Sequence, residues 1–171
     1  MAVLPIIKLG HPSLRKKAEP VTSFDDGLRT LAANMIDTMR ANDGIGLAGP
    51  QVNVLKRIFV IDVSLLVEGE EAQAFINPEI VTRDGSGDME EGCLSIPGIS
   101  AEVTRPDTIS VRYQTLDGEE VEEELDDLFA RVYQHELDHL NGVLFIDHLP
   151  TLQRKLLDPK LKKIREDYAL S

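Results

Sequence analysis

The chain is poor in basic side chains relative to acidic ones, and it lacks tryptophan. Its 171 residues include 18 lysines and arginines against 30 aspartates and glutamates, so the formal net charge is −12 at pH 7. A surface this acidic repels phosphate groups and anionic lipids. We therefore expect neither direct DNA binding nor membrane association for the chain as a whole.

Cysteine and long apolar runs are also scarce. Cys93 is the only cysteine, so no disulfide can form within the chain, and a reducing compartment such as the cytoplasm is expected. No stretch approaches the roughly 18 consecutive apolar residues of a membrane-spanning helix. The apolar fraction of 42% still suffices for a hydrophobic core. Without repeats or long linkers, residues 1–171 are predicted to form one domain, which includes a basic C-terminal helix at 151–171.

Apolar residues recur at helical spacing in three segments. The first helix is predicted to start after a Ser23 cap and to end at Asn42-Asp43-Gly44. The second covers residues 127–140 and stops at an Asn-Gly pair. The third covers residues 152–168, where Pro159 is expected to restart it.

Other segments carry the patterns of strands and turns. Strands are predicted at residues 57–63, 74–76, 79–82, 109–113 and 121–125. Asp117 and Gly118 predict a hairpin turn between the last two. Residues 44–51 contain three glycines within six residues, which predicts a loop whose backbone approaches another group closely. The fold class is therefore α+β, with antiparallel β-sheets packed around a central helix and with an N-terminal and a C-terminal helix.

The most informative motif is H-E-x-x-H at residues 135–139, within the second predicted helix. His135 and His139 are four residues apart, so both imidazoles lie on one helix face and can share one metal ion. Glu136 follows the first ligand and can act as general base on a metal-bound water. The alternative is that these polar side chains only occupy the surface of a helix.

A catalytic metal site needs a third protein ligand. Cys93 is a candidate because it lies in a polar, loop-like Gly-Cys segment, although a lone cysteine is often a small buried apolar residue. His11, His148 and several carboxylates are alternatives. The residues alone therefore predict a metallohydrolase and leave its third ligand open.

Three segments together resemble the peptide deformylase family: Gly44-Ile-Gly-Leu-Ala-Gly-Pro-Gln51, Glu91-Gly-Cys-Leu-Ser95 and Gln134-His-Glu-Leu-Asp-His-Leu-Asn-Gly142. Their order fits the family, and the cysteine stands midway between the glutamine and the first histidine. One departure is Gly49, where the family usually has alanine. This change is expected to affect the rigidity of the loop and not the presence of Gln51. The resemblance implies a single catalytic domain that removes the formyl group from N-formylmethionyl nascent peptides and releases formate.

The resemblance also implies a metal site. Cys93, His135 and His139 match the three metal ligands of the family, and Glu136 matches its general acid/base. Fe²⁺ is the native ion that the resemblance favours, and Zn²⁺, Ni²⁺ or Co²⁺ can take its place in preparations. A thiolate donor is compatible with iron and with zinc.

Further matches concern the substrate. Gln51 and the backbone N–H of Leu94 match the groups that stabilise the oxyanion, and Gly46 matches the glycine that pairs with the substrate backbone. Arg105 resembles an arginine near the path of the substrate, and the alternative is a charge on a strand surface. The substrate methionine is expected to enter an apolar pocket lined by Ile45, Leu128 and Val132. Beside them, Arg131 is expected to pack its aliphatic stem while its charge reaches solvent.

Two other functions stay open on the residues alone. A zincin-type endopeptidase would require a third His or Glu ligand downstream of His139, in an extended signature that is absent. A metal-binding adaptor without turnover would be expected to carry other residues in place of Glu136 or Gln51, and this chain has both.

The segment 151–171 has six basic and three acidic groups, which fits a solvated helix face or a contact with ribosomal RNA near the exit of nascent chains.

Overall fold

A computed structural model describes residues 2–168 of the chain. Within that range the fold is α+β, as expected, and contains three α-helices and seven strands. The helices are α1 (Asp26–Ala41), α2 (Asp127–Leu140) and α3 (Thr151–Asp167). The strands are β1 (Gly46–Ala48), β2 (Ile58–Ile61), β3 (Gln73–Asp84), β4 (Gly87–Cys93), β5 (Ile96–Arg105), β6 (Thr108–Gln114) and β7 (Glu120–Asp126).

The strands form two antiparallel sheets. Five of them pair in the order β1-β2-β3-β6-β7, while β4 and β5 form a separate hairpin. The predicted turn at Asp117 and Gly118 joins β6 to β7, and Gly118 has a φ of 83° there. Because β1 pairs with β2 alone, it is an edge strand of the larger sheet.

Helix α2 is the central element. Of its 14 residues, 10 are buried, and these include charged and polar side chains as well as apolar ones. Tyr133 anchors α2 to the larger sheet, since its ring meets Phe59 and Phe75 edge-on with centroids 5.1 and 5.7 Å away. The opposite side of α2 faces the β4–β5 hairpin, to which Arg131 and Asp138 connect it. The helix is therefore enclosed on both sides.

The predicted start of α1 and the predicted break in α3 need correction, whereas α1 ends with its C-cap at Asn42, as predicted. Asp25, and not Ser23, caps α1, because its carboxylate accepts the N–H of Leu28 at 3.0 Å. Helix α3 continues through Pro159 without a restart. Leu161 and Ile164 on α3 are buried in the core, and the final part of the predicted C-terminal segment, residues 169–171, lies outside the described residues.

Two strand predictions also differ from the structure. The segments 74–76 and 79–82 belong to one long strand, β3, whose register shifts after Ile76 and in which Asn77 has a φ of 50°. A proline at a bulge can stay within a strand, which explains the continuity at Pro78. The β4–β5 hairpin is absent from the sequence prediction. No helix within residues 2–168 combines the length and the apolar character that a bilayer-spanning helix requires.

Gly142, just after α2, provides a test of this packing. Its φ is +75°, and a Cβ atom there would lie 2.6 Å from the carbonyl oxygen of Arg15. Gly69 has a similar φ of +82°, but nothing lies within 4 Å of its Cβ position. We expect Gly69→Ala to lower the free energy of unfolding by about 1–2 kcal/mol from backbone strain alone. Gly142→Ala should cost about 1–3 kcal/mol more because of the clash.

Chemical denaturation of both variants measures the difference. Equal losses of stability at the two positions would contradict the close approach of Gly142 to Arg15.

Candidate metal centre and active site

Three side chains that can bind a metal meet at the junction of the hairpin and α2. Cys93 comes from the last position of β4, not from a loop, and His135 and His139 come from α2. Their donor atoms all lie within 4.8 Å of one another, and Cys93 Sγ is 3.4 Å from His139 Nε2. A tetrahedral zinc site with ordinary bond lengths separates its sulfur and nitrogen ligands by about 3.5 Å. The donor set therefore fits one small divalent cation.

The other histidines lie outside this cluster. His11 accepts a hydrogen bond from the N–H of Ser13 through Nδ1, and His148 Nε2 lies 2.8 Å from Asp138. Of the third-ligand candidates left open above, Cys93 is the one that the fold brings to the two helix histidines.

The buried carboxylate of Glu91 orients His135. Glu91 Oε1 lies 2.9 Å from His135 Nδ1, which leaves Nε2 as the nitrogen available to a metal. Arg105 Nε and Arg131 Nη1 donate to Glu91 Oε2 at 2.6 and 2.7 Å. Burial opposes ionisation of Glu91, but hydrogen bonds from His135 and Arg105 outweigh it and lower the pKa of Glu91. Its negative charge therefore persists at neutral pH.

The two histidines differ in their electrostatic surroundings. Burial, assisted by the nearby His135, lowers the pKa of His139 well below its usual value, so that His139 is neutral and able to ligate. Burial also lowers the pKa of His135, but hydrogen bonds to Cys93 and Glu91 outweigh this effect and raise the pKa above its usual value. A metal ion bound at Nε2 of His135 would compete with a proton for that nitrogen, so the affinity for the metal should fall at low pH.

Glu136 follows His135 on α2, and one of its carboxylate oxygens has no hydrogen-bond partner among the described residues. Among the described residues, the buried side-chain nitrogen and oxygen atoms without a hydrogen-bond partner are Glu136 Oε1 and His139 Nδ1. Burial raises the pKa of Glu136 to about 7. A Cβ atom on Gly46 would lie 2.7 Å from Glu136 Oε2, so glycine leaves the room that this carboxylate occupies. Glu136 is thus suited to exchange a proton near neutral pH.

Gln51 is held in one orientation by its neighbours. Its Oε1 accepts the N–H of Ala48 at 2.9 Å, which directs its amide NH₂ towards Cys93 and Ser95. That NH₂ donates to Ser95 Oγ at 3.1 Å and lies 3.4 Å from Cys93 Sγ. Ser95 is fully buried and was not singled out in the sequence, although it ends the second motif.

A cavity of about 660 Å³ opens beside these groups. Its walls include all the residues expected to contact the substrate except Arg105: Ile45, Gly46, Leu128 and Val132, together with Gln51, Cys93, Leu94, His135 and Glu136. The cavity therefore combines apolar walls with polar side chains such as Gln51, His135 and Glu136, as small-molecule and peptide sites commonly do.

Both arginines differ from their sequence expectations. Arg105 does not line the cavity and is no strand-surface charge, because its buried guanidinium binds Glu91 and, at 2.9 Å, Asp138. Arg131 does line the cavity, but its charge is buried against Glu91 and does not reach solvent. A buried carboxylate draws both guanidinium groups inwards, because each buried charge requires a partner.

Gly49 also has a structural explanation. It starts a short 3-10 helix over Gly49–Val52, and a Cβ atom there would lie 2.7 Å from the carbonyl oxygen of Val54. The 3-10 helix that carries Gln51 is accordingly a close-packed segment, and glycine fits it without displacing the backbone.

An H-E-x-x-H helix that meets a strand cysteine in a pocket is typical of a metal-dependent hydrolase. Comparison with known proteins identifies the family. The sequence model of the family described as polypeptide deformylase matches residues 3–155. Peptide deformylase 2 of Xanthomonas campestris pv. campestris is 48% identical over 172 residues, covering 99% of this chain and 100% of that protein.

Solved structures agree. Peptide deformylase from Plasmodium falciparum matches with a TM-score of 0.91 at 40% identity, covering 97% of this chain and 98% of that one. Peptide deformylase from Thermotoga maritima matches with a TM-score of 0.83 at 49% identity, covering 88% and 99% of the two chains. The chain belongs to the polypeptide deformylase family. It is therefore an enzyme that removes N-terminal formyl groups from nascent peptides.

Replacement of Cys93 tests the metal centre. We expect Cys93→Ser to weaken binding of Zn²⁺ or Co²⁺ at least about tenfold, because a hydroxyl is a much poorer donor than a thiolate. Competition with a chelator measures the affinity. Glu90→Gln, a change at an exposed neighbour, is the control and should leave it unaltered. Equal affinities of the serine variant and the wild type would exclude Cys93 as a ligand.

Proposed function

We propose that the enzyme acts on N-formylmethionyl peptides and that Glu136 moves the protons of the reaction. The observation that carries this proposal is the unpartnered carboxylate of Glu136, buried in the pocket beside Cys93, His135 and His139. A buried carboxylate with a pKa of about 7 can both accept and return a proton at neutral pH. No other buried carboxylate oxygen of the described residues lacks a partner.

Cys93, His135 and His139 would hold one divalent ion, and we infer Fe²⁺ as the native one. Bound there, such an ion supplies Lewis acidity and lowers the pKa of water towards about 7. A soft thiolate with two imidazoles suits Fe²⁺ and also accepts Zn²⁺, Ni²⁺ or Co²⁺. Glu91 fixes the ring of His135 through its Nδ1 atom, so that one tautomer is favoured.

Glu136 acts first as general base and then as general acid. It accepts a proton from the water that attacks the formyl carbon, and it afterwards delivers that proton to the departing amine. Formate and a free N-terminal methionine are the products.

Gln51 and Leu94 stabilise the oxyanion. Because Ala48 occupies Oε1 of Gln51, the amide NH₂ is turned towards the site, where the backbone N–H of Leu94 is the second donor. A single donor of this kind is typically worth about 3 kcal/mol in the transition state.

The remaining predicted residues orient the peptide. Gly46 belongs to the edge strand β1, whose unpaired side can hydrogen-bond an extended peptide backbone. Ile45, Leu128 and Val132 form the apolar wall for the methionine side chain. Arg105 is reassigned, since it acts on Glu91 and not on the substrate.

Glu136→Gln, assayed with formyl-Met-Ala-Ser, tests the function and the role together. The wild type should release formate and leave an internal-peptide substrate uncut, whereas an endopeptidase would do the reverse. The variant should keep its metal and lose kcat by about 10²–10⁴, because glutamine cannot accept the proton. Metal content and formate release are both measured.

The pH profile of the wild type adds a check. Protonation of Glu136 should reduce kcat/KM on the acid side, about tenfold for each pH unit. A divalent ion held by Cys93, His135 and His139 would favour the ionised form of Glu136 and lower its pKa, so this decline is expected at or below pH 7. In the mutant assay, loss of metal from Glu136→Gln would contradict the role of Glu136 as a proton carrier that does not bind the metal.

We further propose that the enzyme works in the cytoplasm and contacts the ribosome through α3. Exposed lysines cluster on this helix, while the rest of the chain is acidic. RNA would attract α3 and repel the remaining surface, which orients the pocket relative to emerging chains. The four lysines of α3 have no ion pair within the described residues: Lys155, Lys160, Lys162 and Lys163.

Neutralising these four lysines to glutamine tests the contact better than deleting the helix, since deletion would remove the buried Leu161 and Ile164. Co-sedimentation with ribosomes should weaken, and turnover of a short formyl peptide should stay nearly unchanged. The control neutralises four exposed cations elsewhere: Lys16, Lys17, Lys56 and Arg83. An equal loss in the control, or no co-sedimentation of the wild type at low salt, would overturn the ribosome contact.

A further inference from the structure

The two parts of the metal centre belong to different elements. Cys93 ends strand β4 of the hairpin, whereas His135 and His139 are on α2. The separation of the sulfur from the imidazoles therefore depends on how the β4–β5 hairpin sits against α2.

Arg131 connects the helix to both strands of the hairpin. It lies one turn before His135 on α2 and is buried. Its Nη1 donates to Glu91 Oε2 at 2.7 Å and to the carbonyl oxygen of Val103 at 2.8 Å. Its Nη2 donates to the carbonyl oxygen of Gly87, also at 2.8 Å. Glu91 and Gly87 belong to β4, and Val103 belongs to β5.

Arg105 makes the reciprocal connection. It is the last residue of β5, binds Glu91 through Nε and Nη2, and contacts Asp138 on α2 through Nη1. Arg105 thus divides one positive charge between two carboxylates. Arg131 supplies the second positive charge, so that Glu91 and Asp138 are both compensated. Without Arg131, Glu91 would compete with Asp138 for a single guanidinium.

We propose that Arg131 is a positioning residue for the metal centre: by fixing Oε2 of Glu91 together with Arg105, and by fixing the hairpin backbone, it holds Cys93 and His135 at ligand distance. Glu91 is restrained at both oxygens, at Oε1 by His135 and Arg105 and at Oε2 by Arg105 and Arg131. Its carboxylate then has no freedom to turn away from His135 Nδ1. This inference rests on the ligand set of the proposed function and adds a residue outside that set.

Arg131→Met tests the inference, because methionine keeps much of the length and removes every hydrogen bond. Arg131→Lys keeps the charge, but its single ammonium cannot replace the planar fork that reaches Glu91, Val103 and Gly87. Arg112→Met is the matched control: Arg112 also pairs with several glutamates, but on the exposed sheet.

The primary measurements need no substrate. In the Co²⁺-loaded proteins, the dissociation rate into a chelator and the cobalt–thiolate absorption band report on the metal site itself. We expect Arg131→Met to dissociate at least about tenfold faster with a shifted band, in the range typical for residues that support metal ligands. Arg131→Lys should be intermediate, and Arg112→Met should match the wild type. With formyl-Met-Ala-Ser, kcat should fall for Arg131→Met.

A folded Arg131→Met with wild-type cobalt dissociation and an unshifted band would overturn the proposal. If circular dichroism shows that the methionine variant does not fold, Arg131→Lys decides the question by the same two measurements, and wild-type values there overturn it. A change in KM alone would assign Arg131 to the pocket wall only and likewise contradict the positioning role. Because the cobalt measurements are independent of formate release, a failed deformylase assay in the wild type would count against the proposed function and not against this inference.

Discussion

The arrangement of the site depends on one buried carboxylate. Glu91 lies between the β4–β5 hairpin and α2, and it binds a histidine of the metal cluster and two arginines at once. A single negative charge away from water must be compensated, and each compensating group comes from a different position on these two elements. The same interaction therefore joins the hairpin to the helix and orients His135 of the candidate metal centre. Its hydrogen bonds are short and nearly free of solvent, so salt screens them little.

Much of the fold follows from local patterns. The limits of α2 were predicted to the residue, because its apolar spacing, its Asp-rich start and its Asn-Gly stop agree. Strands β6 and β7 were also predicted, since they alternate cleanly around an Asp-Gly turn. The β4–β5 hairpin was missed although Ile99, Ala101 and Val103 alternate with exposed residues, because glycines and glutamates in β4 hide the pattern. The N-cap of α1 was predicted at Ser23 and lies at Asp25, because serine and aspartate are equally suitable capping residues.

The site was predictable where chemistry requires particular residue types. Two histidines and a glutamate at helical spacing indicate a metal site. The resemblance to a family selected Cys93 among the candidate third ligands and supplied Gln51. The supporting groups were not predictable in this way. Glu91, Ser95 and Arg131 matter through contacts with residues far away in the sequence. Glu91 and Ser95 stand at the two ends of the second motif, but the motif does not show which groups they contact. An arginine on a helix is usually exposed, so its burial can be known only when the partner carboxylate is placed.

The separate origin of the ligands has a consequence for how the protein matures. In the unfolded chain, the two helix histidines are neighbours, but the cysteine joins them only after a non-local contact forms between hairpin and helix. A complete donor set thus exists only in the native state. A cation that binds this set shifts the equilibrium towards the native state by mass action, because the unfolded chain offers it a far weaker site. The free energy of unfolding is therefore expected to rise with the concentration of such a cation.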